Sequence, residues 1–159
     1  MKIRIICIGK LKEKYWTAAA AEYSKRISGY ANIEIVELKE SKLPANPYPT
    51  DEDAVLIREG QNILGRIKED DYVIAMEVEG EQLDSVELAK KIQCTFDTKS
   101  STVDFIIGGS LGLSDEVKKR ADYGLSFSKL TFPHQMARIM LLEQIYRAFK
   151  INSGETYHK

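Results

Sequence analysis

Two histidines occur in the chain, His134 and His158, and both lie in its last third, among most of the other residues suited to chemistry. His134 and Arg138 stand four residues apart, so a helix would project an imidazole and a guanidinium from one face near its start. That pair either binds an anion or a polar base edge, or is a surface pair on an otherwise buried helix. Tyr157, His158 and Lys159 close the chain: an aromatic ring, a group that exchanges protons near neutral pH, and a cation. Such a terminus is either disordered or a tail that folds over a site. Upstream, Gly108-Gly109-Ser110-Leu111-Gly112 ends an apolar run, where small residues serve a tight turn or let a ligand approach the backbone. Together these residues suggest a ligand site built from loops, with a polar tail beside it.

Several chemistries are disfavoured. The glycine turn does not match G-x-G-x-x-G, and G-x-x-x-x-G-K-[ST] occurs nowhere, which argues against a dinucleotide fingerprint or a P-loop. A strand–turn–helix context still leaves an adenosine or other small-molecule site open, because ligands sit at the carboxyl ends of such strands. No Ser/His/Asp set, paired-carboxylate signature or metal cluster stands out, so no metal is expected. Cys7 and Cys94 are isolated in apolar surroundings and read as two buried, reduced thiols, in keeping with a cytoplasmic location.

The elements that must position these groups follow from patterning. At 159 residues, 43% hydrophobic and 30% charged, the chain is expected to form one domain spanning 1–159. No apolar run approaches the ~20 residues that cross a membrane. The opening segment is too short and β-branched for a signal peptide and reads as a strand over 2–9. A helix follows over 13–28, with Trp16, Ala19, Ala20, Tyr23 and Ile27 on one face, then a strand over 32–38 and a proline-bearing loop over 40–50. Thr50 is placed to cap a helix to about Lys68, with Leu56, Ile63, Leu64 and Ile67 inward. A strand over 72–78 precedes a helix from the Asp84/Glu87 capping pair through Gln93, and a fourth strand spans 102–107. Ser114 caps a short helix, 125–130 reads as the last strand, and Pro133 opens a final helix to about Phe149. The alternation predicts an α/β fold with a mainly parallel sheet flanked by helices. Met136, Ala137, Ile139, Met140, Leu141, Leu142 and Ile145 leave the final helix little polar face, which points to a second cover by another subunit and hence a homodimer.

Net charge is −1, which argues against a dedicated polyanion binder on bulk electrostatics. The distribution is uneven: 18 basic and 22 acidic side chains give −4 over 1–128, whereas five basic and two acidic give +3 over 129–159. A mildly basic end on an acidic body could face a phosphate backbone.

Four stretches taken together carry a family likeness. They are Lys2-Ile-Arg-Ile-Ile-Cys-Ile-Gly-Lys10, Ile107-Gly-Gly-Ser-Leu-Gly-Leu-Ser114, Ser126-Phe-Ser-Lys-Leu-Thr-Phe-Pro-His134, and Glu143-Gln-Ile-Tyr-Arg-Ala148 with the terminal Tyr157-His158. In order and over essentially the full length, the chain resembles the RlmH-type methyltransferases of the SPOUT class. The resemblance implies a C-terminal trefoil knot over about 72–159, a homodimer, no metal, and S-adenosylmethionine as cofactor. It implies methylation of N3 of a pseudouridine in 23S ribosomal RNA of the large subunit, on assembled ribosomes. By matching motif positions it assigns the cofactor to Met76, Gly108, Gly109, Phe127, Ser128, Lys129, Leu130, Thr131 and Phe132. For the chemistry so implied, His158 is the candidate base, Tyr157 a ring that could stack on the exposed nucleotide, His134 and Arg138 the candidates for holding phosphate or a base edge, and Lys159 a contact to substrate. Lys159 stands where the family leads one to expect arginine, so a point charge replaces a planar fork. The alternatives are a non-catalytic ribosome- or RNA-docking dimer that keeps only the fold, and a small-molecule enzyme using another nucleotide.

Overall fold

The computed structural model describes residues 1–159. Its elements run β1 (Lys2–Ile8), α1 (Lys14–Ile27), β2 (Asn32–Leu38), α2 (Pro49–Leu64), β3 (Tyr72–Gln82), α3 (Ser85–Thr98), β4 (Thr102–Ile107), α4 (Asp115–Arg120), β5 (Tyr123–Ser126) and α5 (His134–Asn152). The strands form one sheet in the order β2-β1-β4-β3-β5, and every pairing is parallel. Parallel strands place all their carboxyl ends on one edge, where the loops after β1, β3, β4 and β5 meet.

Period-two side chains divide the sheet between two cores. Ile3, Ile5 and Cys7 of β1, with Val103, Phe105 and Ile107 of β4, face α1, α3 and α5, where Ile27, Ile92, Leu141, Leu142, Ile145 and Phe149 complete the larger core. Ile6 and Ile8 of β1, Ile106 of β4 and Val73 and Ala75 of β3 face the opposite way, onto Ile63 of α2 and Val117 of α4. Burial on both faces explains why β1 and β4 read as near-continuous apolar runs.

Where the elements depart from the sequence expectation, a local reason is visible. The second helix begins at Pro49 rather than after a Thr50 cap: proline has no amide to leave unpaired at a first helical position, and the Tyr48 amide donates to the Asp51 carboxylate at 2.8 Å. On that helix Ile63 is buried but Leu56 only half-buried, while Val55, Glu59 and Gly60 take the inward positions. The third helix continues past Gln93 to Thr98, leaving Cys94 exposed, so only Cys7 is a buried thiol. The last strand covers Tyr123–Ser126, not 125–130. Beyond it the Ser126 hydroxyl donates to the Ser128 carbonyl at 2.9 Å and the Leu130 amide to the Ser128 hydroxyl at 2.9 Å, and these local bonds displace a sheet ladder.

One charged cluster interrupts the smaller core. Arg4 of β1 donates to Asp71 at 3.0 Å and to the Arg66 carbonyl, and its Nε lies 3.4 Å from the Asp104 carboxylate on the neighbouring β4. Arg120 ties the same corner by donating to the carbonyls of Lys68 and Asp71 at 3.0 and 2.9 Å. Asp104 is fully buried. Burial pushes its carboxyl up from 3.8 to about 7; Arg4 opposes the shift and the neighbouring Asp71 adds to it. A folded-state value above the unfolded one means that the native state binds the extra proton between those limits, so this group's contribution to stability falls as pH rises through the window. Urea unfolding from pH 4 to pH 7 should therefore show Asp104→Asn gaining on the native chain steadily as pH rises, with a constant difference between the two disproving the shift.

Candidate active site

Three loops at the carboxyl edge enclose a cleft of about 770 Å³, within the size range of small-molecule sites. The first is an excursion within β3. Met76 and Glu81 both pair with Leu125, so residues 77–80 leave the ladder and arch over its end. Gly80 makes that arch possible: a Cβ there would stand 2.7 Å from the Leu125 carbonyl carbon and 2.8 Å from that of Gly124. The second loop follows β4. The Gly112 amide donates to the Gly109 carbonyl at 3.1 Å and closes the turn, Gly112 adopts φ +83°, and a Cβ on Gly108 would stand 2.7 Å from the Gly112 carbonyl carbon. The third, 127–133, is shaped by the serine bonds described above and leads into α5. Backbone-to-backbone approaches this close admit no side chain, which is the physical need for glycine at positions 80 and 108.

The cleft gathers most of the residues expected from the sequence. Met76, Gly108, Gly109, Phe127, Ser128, Leu130, Thr131 and Phe132 line it, and His134 joins them. Lys129 is exposed on the same loop and does not line it. Glu77 and Glu79 on the β3 excursion, Leu113 and Lys118 after the glycine turn, and Leu125 and Ser126 at the end of β5 complete the wall, and sequence reasoning does not find them. Glu77 and Glu79 precede a glycine just past an apolar strand, which is a signal in the residues, but only the double pairing at Leu125 turns them to the cleft. Lys118 lies 3.8 Å from the Glu77 carboxylate.

Arg138 is not at the surface. It is the largest fully buried side chain; Nη1 donates to Glu37 at 2.7 Å and Nη2 to the Gly9 carbonyl at 3.0 Å. Glu37 also accepts the Leu11 amide at 3.0 Å, so the pair pins the connection after β1 to the start of α5. The His134 ring lies above that connection, with Nε2 3.5 Å from where a Gly9 Cβ would be. The two residues four apart therefore serve different ends, with His134 facing the cleft and Arg138 holding the helix beneath it.

The tail lies elsewhere. Tyr157 packs edge-on against Tyr146 at 4.9 Å between ring centres, donates to Glu143 at 3.2 Å, and has the Arg147 guanidinium 4.7 Å over its ring. Burial, then the Glu143 charge, raises the Tyr157 phenol above its ordinary value. His158 is exposed, with Nδ1 3.4 Å from Arg147 Nη1, and Lys159 is exposed beyond it. His158 lines a second groove of about 700 Å³ between α5 and the start of α3, which shares only Leu125, Ser126 and Phe127 with the cleft. No three or more His, Cys, Asp or Glu side chains are grouped to hold a metal ion, and no helix is long and apolar enough to cross a membrane.

A parallel sheet with a glycine-lined cleft at its carboxyl edge places the chain among α/β folds with a ligand-sized site at the strand ends. Residues 1–158 match the family model described as "Predicted SPOUT methyltransferase", and the chain belongs to that family of methyltransferases, which use a methyl-donor cofactor. It is 52% identical to the ribosomal RNA large subunit methyltransferase H of Clostridioides difficile (strain 630), and 54% identical to the protein of that name from Clostridium novyi (strain NT). Each comparison covers 159 residues and the whole of both chains. A solved structure, a probable methylase family protein from Haemophilus influenzae Rd KW20, matches with a TM-score of 0.54 at 17% identity over 99% of this chain and 70% of that one, a likeness of fold alone.

The glycines make separable predictions. Gly108→Ala drives a methyl group into the Gly112 backbone and should cost about 2–3 kcal/mol, within the range for overpacking. Gly112→Ala meets open space but keeps a positive φ, and should cost about 1–2 kcal/mol. Urea midpoints in the reverse order would contradict the close approach.

Proposed function

We propose that the chain is an S-adenosylmethionine-dependent methyltransferase that methylates N3 of a pseudouridine in the 23S RNA of the large ribosomal subunit, acting on assembled ribosomes as a homodimer. The observation that carries this reading is the identity of 52–54% with the large-subunit methyltransferases H, which runs over all 159 residues and so includes both the cleft and the terminal tail.

The cleft fits the cofactor. Met76, Ile107, Leu113 and Phe127 offer apolar walls for an adenine ring, and the backbone around Gly108 to Gly112 offers polar groups without side chains in the way. Glu77 and Glu79 set carboxylates at its rim, which favour a cationic ligand. When bound, S-adenosylmethionine supplies a methyl group on a positive sulfur, displaced in line as the sulfur leaves as a neutral thioether.

The protein itself must place the uracil-type ring and remove its N3 proton, so that the nitrogen lone pair is free to form the new bond. His158 is the proposed base, Tyr157 the ring that stacks on the exposed nucleotide, and His134 the group at the cleft that orients it. Lys159 supplies a point charge to phosphate. Arg138 acts beneath them through the connection after β1. Because His158 lies on a groove beside the cleft and Tyr157 packs against Tyr146, neither lining the cleft, the tail completes a site only by moving or by reaching a second copy. The α5 surface beside that groove is apolar, with Met136 37% exposed and Ile139 and Met140 half-buried, and supports a second copy as its cover. The same reading places the 127–133 loop in a C-terminal trefoil knot.

Calorimetric titration should show S-adenosylmethionine binding to the folded protein; a folded protein that binds ATP or NAD in preference would overturn the cofactor. His158→Ala should bind the cofactor within about two-fold of wild type and lose at least about 100-fold in methyl transfer to ribosomes, the usual scale of a general base. Transfer within a few-fold of wild type would remove His158 as the base.

A further inference from the structure

The carboxyl edge of the sheet also carries the connection between β1 and α1, and its composition suits a polyanion. In Lys10-Leu11-Lys12-Glu13-Lys14-Tyr15-Trp16, three lysines fall at every second position with one acid among them. All three are exposed, and none makes an ion pair: the paired cations are Lys2, Arg4, Arg26, Lys118, Arg120, Arg138, Arg147 and Lys150. The nearby Glu37 is already taken by Arg138 and the Leu11 amide. Tyr15 is 63% exposed, its ring braced edge-on by Trp16 at 5.0 Å.

The segment is held at the cleft. The Lys12 amide donates at 3.0 Å to the side chain of Gln135, the neighbour of His134 on the cleft wall. Stability does not account for these residue types. Apart from the Glu13 N-cap, the first turn of α1 contains no acid, and lysines beside the positive end of a helix raise its energy. An exposed tyrosine ring buries little. Unpaired cations placed at an electrostatic cost beside an exposed ring are what a phosphate backbone and an unstacked base require.

We propose that the β1–α1 connection is the RNA-docking surface of the enzyme, with Lys10, Lys12 and Lys14 on backbone phosphates and Tyr15 stacked on an unpaired base next to the target nucleotide. The proposal rests on ribosomal RNA being the substrate. It explains how a chain of net charge −1 engages RNA: the positive charge is local, on a segment bonded to the helix that carries His134.

The test is methyl transfer to unmodified 70S ribosomes across a salt series, with S-adenosylmethionine affinity measured on the same samples. Lys10→Ala/Lys12→Ala/Lys14→Ala should lose about ten-fold or more in kcat/KM, and its log–log salt dependence should be shallower by about 2, as three lost phosphate contacts require. Cofactor affinity should be unchanged. The triple arginine variant should stay within about three-fold of wild type, and Tyr15→Ala should lose about five-fold or more with an unaltered salt slope, as loss of stacking predicts. Wild-type activity and salt slope in the triple alanine variant would overturn the surface alone. Weakened cofactor binding in that variant would also overturn it, by assigning the lysines to the cofactor. A wild-type enzyme that transfers no methyl to ribosomes would overturn the substrate reading, and this surface with it.

Discussion

Everything at the carboxyl edge depends on backbone meeting backbone without side chains between. The excursion of β3 lies on the end of β5 because Gly80 has no Cβ to strike Gly124 and Leu125, and the turn after β4 closes because Gly108 has none to strike Gly112. These contacts bring loops from three strands around one volume. Main-chain groups of those loops therefore line the volume without side chains between them. The cost is intolerance: a single methyl at either glycine would have to move one loop against another.

A second fixed point lies under the first. Arg138, wholly buried, joins α5 to Glu37 and to the carbonyl of Gly9, itself at φ +85°. A buried guanidinium needs partners to offset its lost hydration, and here the partners come from the ends of β1 and β2. The first turn of α5, with His134, is thereby referenced to the ends of β1 and β2 as well as to the loop before it. The wall of the cleft and the lysine-bearing connection after β1 share one anchor.

Much of this is legible in the residues, and the exceptions have physical causes. Period-two burial in β1 and β4 and the Asp84/Glu87 cap are readable, because local pattern and tertiary environment agree there. The length of β5 is not, because Phe127 and Leu130 look like strand residues, whereas Ser126 and Ser128 divert the backbone into local bonds. Arg138 resembles a surface residue in the sequence because its acceptors, Glu37 and Gly9, are more than a hundred positions away. Glu77 and Glu79 escape notice for a similar reason: only the pairing of both Met76 and Glu81 with Leu125 shows that the chain between them leaves the sheet. The family likeness supplies what patterning does not, since its motif positions mark the cleft whatever their secondary structure.

The division between what one chain completes and what it leaves unfinished bears on how the enzyme is controlled. The walls of the cleft come from loops of a single sheet. The groups proposed for proton transfer and stacking are not there; the Tyr157 ring is occupied by Tyr146, Glu143 and Arg147, and His158 lies on a separate groove. On the proposed reading, cofactor capture draws on the cleft alone, whereas methyl transfer draws on a tail that must be brought to it. An enzyme arranged in this way separates holding an electrophilic methyl group from using it. If RNA docks on the basic connection beside His134, as proposed, docking and assembly of the catalytic groups draw on the same surface.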